Sequence, residues 1–93
     1  MLTEKTINIL KEKAQAYNVK RLLLFGSCLH VPEDEANDID LAVEGIDDDR
    51  FFTFHSDLMF DKDIRKSIDL IDLSGNATIM PVILETGLVI YES

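Results

Sequence analysis

Apolar and polar positions follow two different periods along this chain, and each period predicts its own kind of element. In residues 3–17 the apolar side chains recur three or four positions apart, with Lys and Glu between them, which is typical of an amphipathic helix. Thr3 is placed to cap the start of this helix and Asn18 to end it. The continuous apolar run Leu22–Phe25 then predicts a short buried strand, Arg21–Phe25, that ends at Gly26.

The middle of the chain predicts a loop, a second strand and a second helix. Residues 27–37 contain Pro32 and several acids, which favours a loop with room for a helical turn. In Asp38–Glu44 polar and aliphatic residues alternate, so the strand presents its aspartates on one face, and Gly45 closes it. Asp47–Asp49 then favour a helix start, because acids stabilise that end of a helix. The apolar positions of this helix are Phe51, Phe54, Leu58 and Met59. Together with Phe52 and Phe60 the apolar residues are too many for one helical face, so part of the set covers the core and the remainder is a candidate patch for a partner; for any single one, Met59 included, we expect the core.

The last third predicts one more strand, one more helix and an edge strand. Ser67–Leu73 (SIDLIDL) is the strand, and residues 76–86 have a helical pattern that contains Pro81. Either the helix begins near Met80 with proline in its first turn, or the proline kinks it; the first alternative fits proline better. The pattern ends with Gly87 as the helix stop and with Leu88–Tyr91 as an edge strand.

These elements predict an α+β fold, in which helices flank a mixed β-sheet in the order α-β-α-β-α-β. The length predicts one domain, residues 1–93. The single cysteine, Cys28, cannot form an internal disulfide, and the start of the chain lacks the pattern of a signal peptide, so we expect a cytoplasmic protein. No apolar run is long enough for a membrane span.

The acidic charge balance narrows the ligand class. A formal net charge of −9 and the lack of a basic cluster make nucleic acid an unlikely ligand for this chain alone. A nucleoside triphosphate carried with Mg²⁺ remains compatible, because the ion brings its own positive charge.

Residues 26–40 contain the candidate chemistry. Gly26 and Ser27 offer a turn without side-chain bulk, backbone N–H groups and a hydroxyl, which suit a phosphate. Asp38 and Asp40 are two apart in a strand, so their carboxylates lie on one face. A third carboxylate is available from Asp69 or Asp72, but these face opposite sides of a regular strand and only one of them can join the site.

The arrangement of an apolar strand, GS, ten further residues, a DxD strand and a later strand with an aspartate resembles the DNA polymerase beta-type nucleotidyltransferases. More narrowly, it resembles the stand-alone minimal nucleotidyltransferases of bacteria and archaea. The resemblance covers nearly the whole chain and implies a palm-like core. It rests on the leading helix and on the segments LFGS, NDIDLAVEG, SIDLIDL and ILETGLVIYES.

The resemblance also implies residue roles and a partner. Gly26 and Ser27 would bind the triphosphate of ATP, and Asp38, Asp40 and Asp69 would ligate Mg²⁺ as two ions in a two-metal site. Family members of this size are commonly encoded beside a HEPN-type helical protein, with which they form a toxin–antitoxin pair. In such pairs the nucleotidyltransferase, as antitoxin, transfers AMP from ATP to the toxin.

One departure from the family pattern concerns the loop after the GS pair. The family commonly continues GS-x-A-x-G, with arginine after the serine, whereas this chain reads Cys28-Leu29-His30-Val31. Valine in place of glycine predicts a restricted loop and crowded phosphates, and the missing arginine removes a positive charge. The alternative function is therefore a catalytically weakened or inactive binding module of the same fold that neutralises its partner by occlusion. Cys28 is expected to be a small structural side chain, His30 an exposed one, and His55 structural or exposed.

Overall fold

The computed structural model describes residues 1–75 and 80–93, which form a four-stranded sheet with three α-helices. None of the helices in these residues combines the length and the apolar composition that crossing a membrane requires. In chain order the elements are α1 (Glu4–Ala16), β1 (Arg21–Phe25), β2 (Asp38–Glu44), α2 (Asp48–Met59), β3 (Ser67–Asp72), α3 (Met80–Thr86) and β4 (Leu88–Glu92).

The strand order across the sheet is β3-β2-β1-β4. β1 runs antiparallel to both β2 and β4, whereas β2 and β3 are parallel. The sheet is therefore mixed, which confirms the α+β prediction. Parallel neighbours require a crossover connection, and α2 provides it between β2 and β3.

The loop predicted at 27–37 is confirmed, although the predicted order α-β-α-β-α-β would require a helix between β1 and β2. No α-helix lies there: the chain makes two short 3₁₀ turns, at Gly26–Leu29 and Glu33–Glu35, and enters β2 directly. With β4 included, the order is α-β-β-α-β-α-β. This direct connection places the GS turn beside the start of β2.

Helix α1 begins and ends as the sequence predicts. The Thr3 hydroxyl accepts a hydrogen bond from the Thr6 backbone N–H at 3.2 Å, so Thr3 caps the first turn. After the helix, Asn18 adopts a left-handed backbone conformation with φ +54°, which is incompatible with continuing the helix.

Two apolar clusters cover the two faces of the sheet. On one face α1 and α2 bury the larger cluster, in which Phe54 and Leu58 of α2 are fully enclosed. On the other face a smaller cluster gathers Leu23, Ala42, Leu73 and Ile83, the last from α3. Asp38 and Asp40 lie on this second face, since they alternate with the β2 residues that contact α1 and α2. The candidate carboxylates therefore share their side of the sheet with α3.

The C-terminal elements are close to the predictions. β3 ends one residue early, at Asp72, because Leu73 begins a 3₁₀ turn. In α3 Pro81 lies in the first turn, as preferred above; the part of the predicted helix at 76–79 lies outside the described residues. β4 is the predicted edge strand, extended to Glu92.

Gly87 ends α3 at a position where a side chain does not fit. Its N–H donates to the Ile83 carbonyl at 2.7 Å, and a Cβ at this position would lie 2.6 Å from the same oxygen. A side chain here would therefore push α3 away from the strand that follows it.

The prediction that Met59 belongs to the buried face of α2 is wrong. Its side chain is 47% exposed, and Phe52 and Phe60 are 76% and 85% exposed. The second helix has more apolar residues than its buried face can accommodate.

Candidate active site

The parallel pairing of β2 with β3 brings two of the candidate carboxylates together. Asp40 is the direct register partner of Asp69, and Asp38 is the partner of Ser67. Residues paired across neighbouring strands lie about 5 Å apart on the same face. Asp72 has the opposite parity and pairs with Val43, and its carboxylate accepts from the Ser74 N–H at 3.0 Å. Of the two alternatives left open by the sequence, the fold places Asp69 beside Asp40.

The electrostatics of Asp40 reflect its burial and the neighbouring Asp69. Burial raises the pKa of the Asp40 carboxyl, and the adjacent Asp69 raises it further through charge repulsion. The charge of Asp38 adds a smaller increase in the same direction. Asp69 and Asp38 are thus close enough to disfavour the ionised form of Asp40 unless a proton or a cation intervenes.

Gly26 lies directly against the Asp40 carboxylate. It follows Phe25, which pairs with Asp40 across β1 and β2, and it has a left-handed φ of +77°. A Cβ on Gly26 would lie 2.2 Å from Oδ2 of Asp40, so a side chain cannot fit there. The glycine is required both by its backbone conformation and by the close approach of the carboxylate.

The 3₁₀ turn Gly26–Leu29 is closed on itself and fastened to β2. The Ser27 carbonyl accepts from the N–H groups of His30 at 2.9 Å and Val31 at 3.1 Å, while Ser27 itself is exposed. The buried Cys28 thiol donates to the Asp38 carbonyl at 3.4 Å. Burial also raises the pKa of the Cys28 thiol, so this is a structural cysteine, as predicted, and a poor nucleophile.

The altered loop accommodates Val31 without a left-handed backbone at that position, and restriction of the loop by valine stays a prediction. Val31 packs against the main apolar cluster, and a left-handed backbone occurs, among the residues described, only at Asn18, Gly26 and Gly45. The chain therefore accommodates valine by turning its side chain inward. The N–H groups of His30 and Val31 are already used by Ser27. Crowding of the phosphates remains a prediction.

The two histidines differ in their surroundings. His30 is exposed in the loop, as predicted. His55 on α2 is half-buried, and its Nε2 lies 2.8 Å from the carbonyl oxygen of Ile68 on β3. Because a carbonyl can only accept, His55 donates this bond and so fastens α2 to the strand that carries Asp69. Nothing in the sequence reveals this contact, since it depends on the crossover of α2.

The donor set suits Mg²⁺, which prefers oxygen ligands and is usually held through one or two carboxylates together with substrate phosphates and water. Asp40 and Asp69 provide such a pair, with Asp38 close enough to influence it. Within residues 1–75 and 80–93, no three His, Cys, Asp or Glu side chains are already gathered tightly enough to hold a metal alone. A carboxylate pair is the kind of donor set that binds Mg²⁺ together with substrate phosphates and water.

A separate cavity of about 390 Å³ lies at the start of α1, and none of the site residues lines it. Its walls are tied together by Glu33, which accepts from the Thr3 N–H and the Thr6 hydroxyl, both at 3.0 Å. An ion pair between Lys5 and Asp63 at 3.4 Å closes another side. These contacts hold the loop after the GS turn against α1 and account for the cavity structurally.

Comparison with known proteins agrees with this geometry. A family model described as "Polymerase beta, Nucleotidyltransferase" matches residues 4–93. No curated protein matches the chain. One similar solved structure is the toxin–antitoxin complex MntA-HepT, with a TM-score of 0.71 and 18% identity over 98% of this chain and 74% of that one. Another is a tri-AMPylated Shewanella oneidensis HEPN toxin in complex with MNT antitoxin, with a TM-score of 0.71 and 19% identity over 97% of this chain and 72% of that one. At these identities the structures establish a shared fold.

Proposed function

The chain belongs to the polymerase beta nucleotidyltransferase family, and from this premise we propose that it transfers AMP from ATP to a HEPN-type protein partner in an Mg²⁺-dependent reaction. In this role it is the antitoxin of a toxin–antitoxin pair. The observation that carries the proposal is the Asp40–Asp69 pair, which lies against the side-chain-free Gly26.

The proposed ligands are Asp40 and Asp69, assisted by Asp38, with Gly26 and Ser27 on the triphosphate. When bound there, Mg²⁺ supplies the positive charge that neutralises the triphosphate and the developing pyrophosphate. The carboxylates orient the reacting groups on the face of the sheet that also carries α3. A nucleophilic oxygen of the acceptor forms a bond to the α-phosphorus, the bond to pyrophosphate breaks, and the acceptor's proton leaves toward the carboxylate cluster.

The partner assignment is supported by the neighbouring folds. Both solved complexes described above pair this fold with a second protein, and in one of them the HEPN toxin carries AMP. The chain's acidic surface and its single unpaired cysteine suit a cytoplasmic protein that binds another protein.

The altered loop favours a second candidate function, in which the chain neutralises the same partner by covering it. The N–H groups of His30 and Val31 are not available to a phosphate, and residues 28–31 provide neither arginine nor lysine. A weakened grip on ATP would leave the fold intact as a binding module.

The experiment combines the chain with ATP, Mg²⁺ and the product of its neighbouring open reading frame, and follows that product by intact mass spectrometry. We expect an added AMP with the wild-type chain and none with Asp38→Ala, Asp40→Ala. The matched control is Asp47→Asn, which removes one negative charge from an exposed residue that makes no capping hydrogen bond. This control variant should transfer AMP like the wild type.

Two results separate the candidates. If the wild type and the double variant neutralise the partner equally and no AMP is transferred, the occlusion module is correct. If millimolar Mg-ATP gives no heat on titration into the wild-type chain, the nucleotidyltransferase proposal is wrong.

A further inference from the structure

Helix α2 presents apolar side chains to solvent that the core does not use. Phe52, Met59 and the following Phe60 are 76%, 47% and 85% exposed, and we call these three residues the α2 patch. Phe52 and Met59 are seven positions apart, so they lie on one side of the helix, and Phe60 extends that side at the C-cap. Aromatic residues gathered in this way are typical of protein interfaces.

Phe51 connects the α2 patch to the apolar core. The ring of Phe52 stands edge-on to that of Phe51, with centroids 5.7 Å apart and planes at 82°. Phe51 is half-buried and packs against the main apolar cluster, and its ring also contacts His55 at 6.5 Å. Because this layer is fixed to β3 through His55, a partner would meet a largely preformed surface.

Negative charges border the α2 patch, and the helix contributes no cation to balance them. Asp48 and Asp49 precede Phe52 by four and three positions, and in the described residues neither has an ion-pair partner. Arg50, the helix's only basic residue other than histidine, lies over the Tyr17 ring at 4.7 Å and donates to the Tyr17 carbonyl at 3.4 Å. The outward side of α2 is therefore apolar and anionic.

We propose that the α2 patch is the docking surface for the HEPN-type partner, which meets it with an apolar patch bordered by Lys or Arg. This inference rests on the proposed function for the partner's identity. A second copy of this chain fits less well. Symmetric pairing would bring Asp48 and Asp49 close to their own equivalents, between two chains that each have a net charge of −9.

A partner docked at the α2 patch does not cover the carboxylate site, and its acceptor group reaches that site around the edge of the sheet at β3. Helix α2 covers the sheet face that buries Phe54 and Leu58, whereas Asp38, Asp40 and Asp69 lie on the opposite face. Partner binding and nucleotide binding are therefore separable by mutation.

The test measures the dissociation constant of the complex between this chain and the product of the neighbouring open reading frame. We expect Phe52→Ser, Phe60→Ser to weaken the complex by about tenfold or more, because exposed aromatic residues at the centre of an interface carry much of the affinity. Mg-ATP binding should be unchanged. The matched control is Val89→Ser, which alters an apolar residue of β4 that is 45% exposed at the sheet edge opposite β3, and it should leave the complex intact.

A second pair of variants tests the charge border. Asp48→Asn, Asp49→Asn should slow association and reduce its dependence on salt, since both effects follow from steering by surface charge. Because these substitutions leave the aromatic residues in place, they separate the electrostatic contribution from the apolar one.

Three results would overturn the proposal. The first is unchanged affinity in Phe52→Ser, Phe60→Ser, which would leave AMP transfer and the proposed function standing. The second is a dimer of the wild-type chain, detected by light scattering, that the same variant dissociates, since the occupant would then be a second copy. The third is a wild-type chain that binds no such product, in which case the partner assignment also falls and titration with Mg-ATP decides the nucleotide chemistry separately.

Discussion

Gly26 and Gly45 share a left-handed backbone but differ in what lies against them, which makes them a matched pair for substitution. Gly26 has φ +77° and touches the Asp40 carboxylate, whereas Gly45 has φ +79° and lies against Lys20, at the other end of β2. Alanine at either position should lower the free energy of unfolding by roughly 1–2 kcal/mol from backbone strain, measured by urea denaturation.

Only Gly26→Ala should also weaken Mg-ATP binding, by about tenfold or more, which corresponds to roughly 1.4 kcal/mol or more. The reason is that its Cβ would displace Oδ2 of Asp40. Equal binding by the two alanine variants would show that the triphosphate does not use this turn.

The Asp40 carboxyl gives the metal-free protein a distinct pH dependence. Burial and the Asp69 and Asp38 charges raise its pKa, so the folded state holds its proton more tightly than the unfolded state does. The resulting stability is present below the ordinary aspartate value of 3.8 and is lost as the pH rises through the raised value. Asp40→Asn should therefore raise the melting temperature by a few degrees at neutral pH, and the gain should vanish in acid.

Asp61 serves as a control, because its pKa is shifted in the direction opposite to that of Asp40. The backbone N–H of Asp63, and after it Lys13 at 3.2 Å, lower the pKa of the Asp61 carboxyl. The contribution of Asp61 to folding stability is present above the ordinary aspartate pKa and is lost as the pH falls through the lowered pKa. Asp61→Asn should thus lower the melting temperature at neutral pH, with the loss fading in acid. A gain for both variants would point to net charge as the cause.

At the residue scale, the sequence predicts what depends on local spacing. The two-residue period of β2 correctly placed Asp38 and Asp40 on one face. The choice between Asp69 and Asp72 could not be made, because it depends on the register between two strands that are distant in the chain. The inward side chain of Val31 was also unpredictable, since it follows from how the turn packs.

At the scale of elements, the His55 contact joins α2 to the strand that carries Asp69. His55→Ala should cost about 1 kcal/mol of stability, the net value of a typical hydrogen bond. The substitution should also weaken Mg-ATP binding. The reason is that His55 donates to the carbonyl of Ile68, which immediately precedes Asp69 on the edge strand β3. Urea denaturation and calorimetric titration measure the two effects.

His55→Gln is the conservative variant for this prediction, because its amide N–H₂ can donate to the same carbonyl. It should recover part of both losses. If His55→Ala binds Mg-ATP like the wild type, β3 holds Asp69 in place without help from α2.

Element boundaries were predicted well where periodicity and capping coincide. β1 and β2 begin and end where the sequence predicts, and Thr3 caps α1. In α2 the helical spacing does not distinguish residues that face the core from residues that face solvent, so Met59 was misplaced. A helix with too many apolar residues is predictable; which of them are left outside depends on how it crosses the sheet.

At the scale of the whole molecule, the fold class followed from the sequence, but the strand order did not. Nothing local specifies that β1 lies between β2 and β4, or that β3 joins β2 in parallel at an edge. These pairings depend on contacts between distant segments, and the apolar area that each pairing buries determines which of them form. The site depends on them in turn, because Asp40 and Asp69 meet only through the parallel pair.

The edge position of β3 has a consequence for the lifetime of the folded chain. β3 is paired with a strand on one side only, so a local opening at this edge has to break only its pairing with β2 and its contacts with α2. A ligand that needs both Asp40 and Asp69 binds only while β3 is paired with β2. Its binding free energy therefore stabilises that pairing. By the proposed function, ATP supply thus sets how often this edge opens. A chain deprived of nucleotide is the one that exposes an unpaired strand to proteases or to another chain.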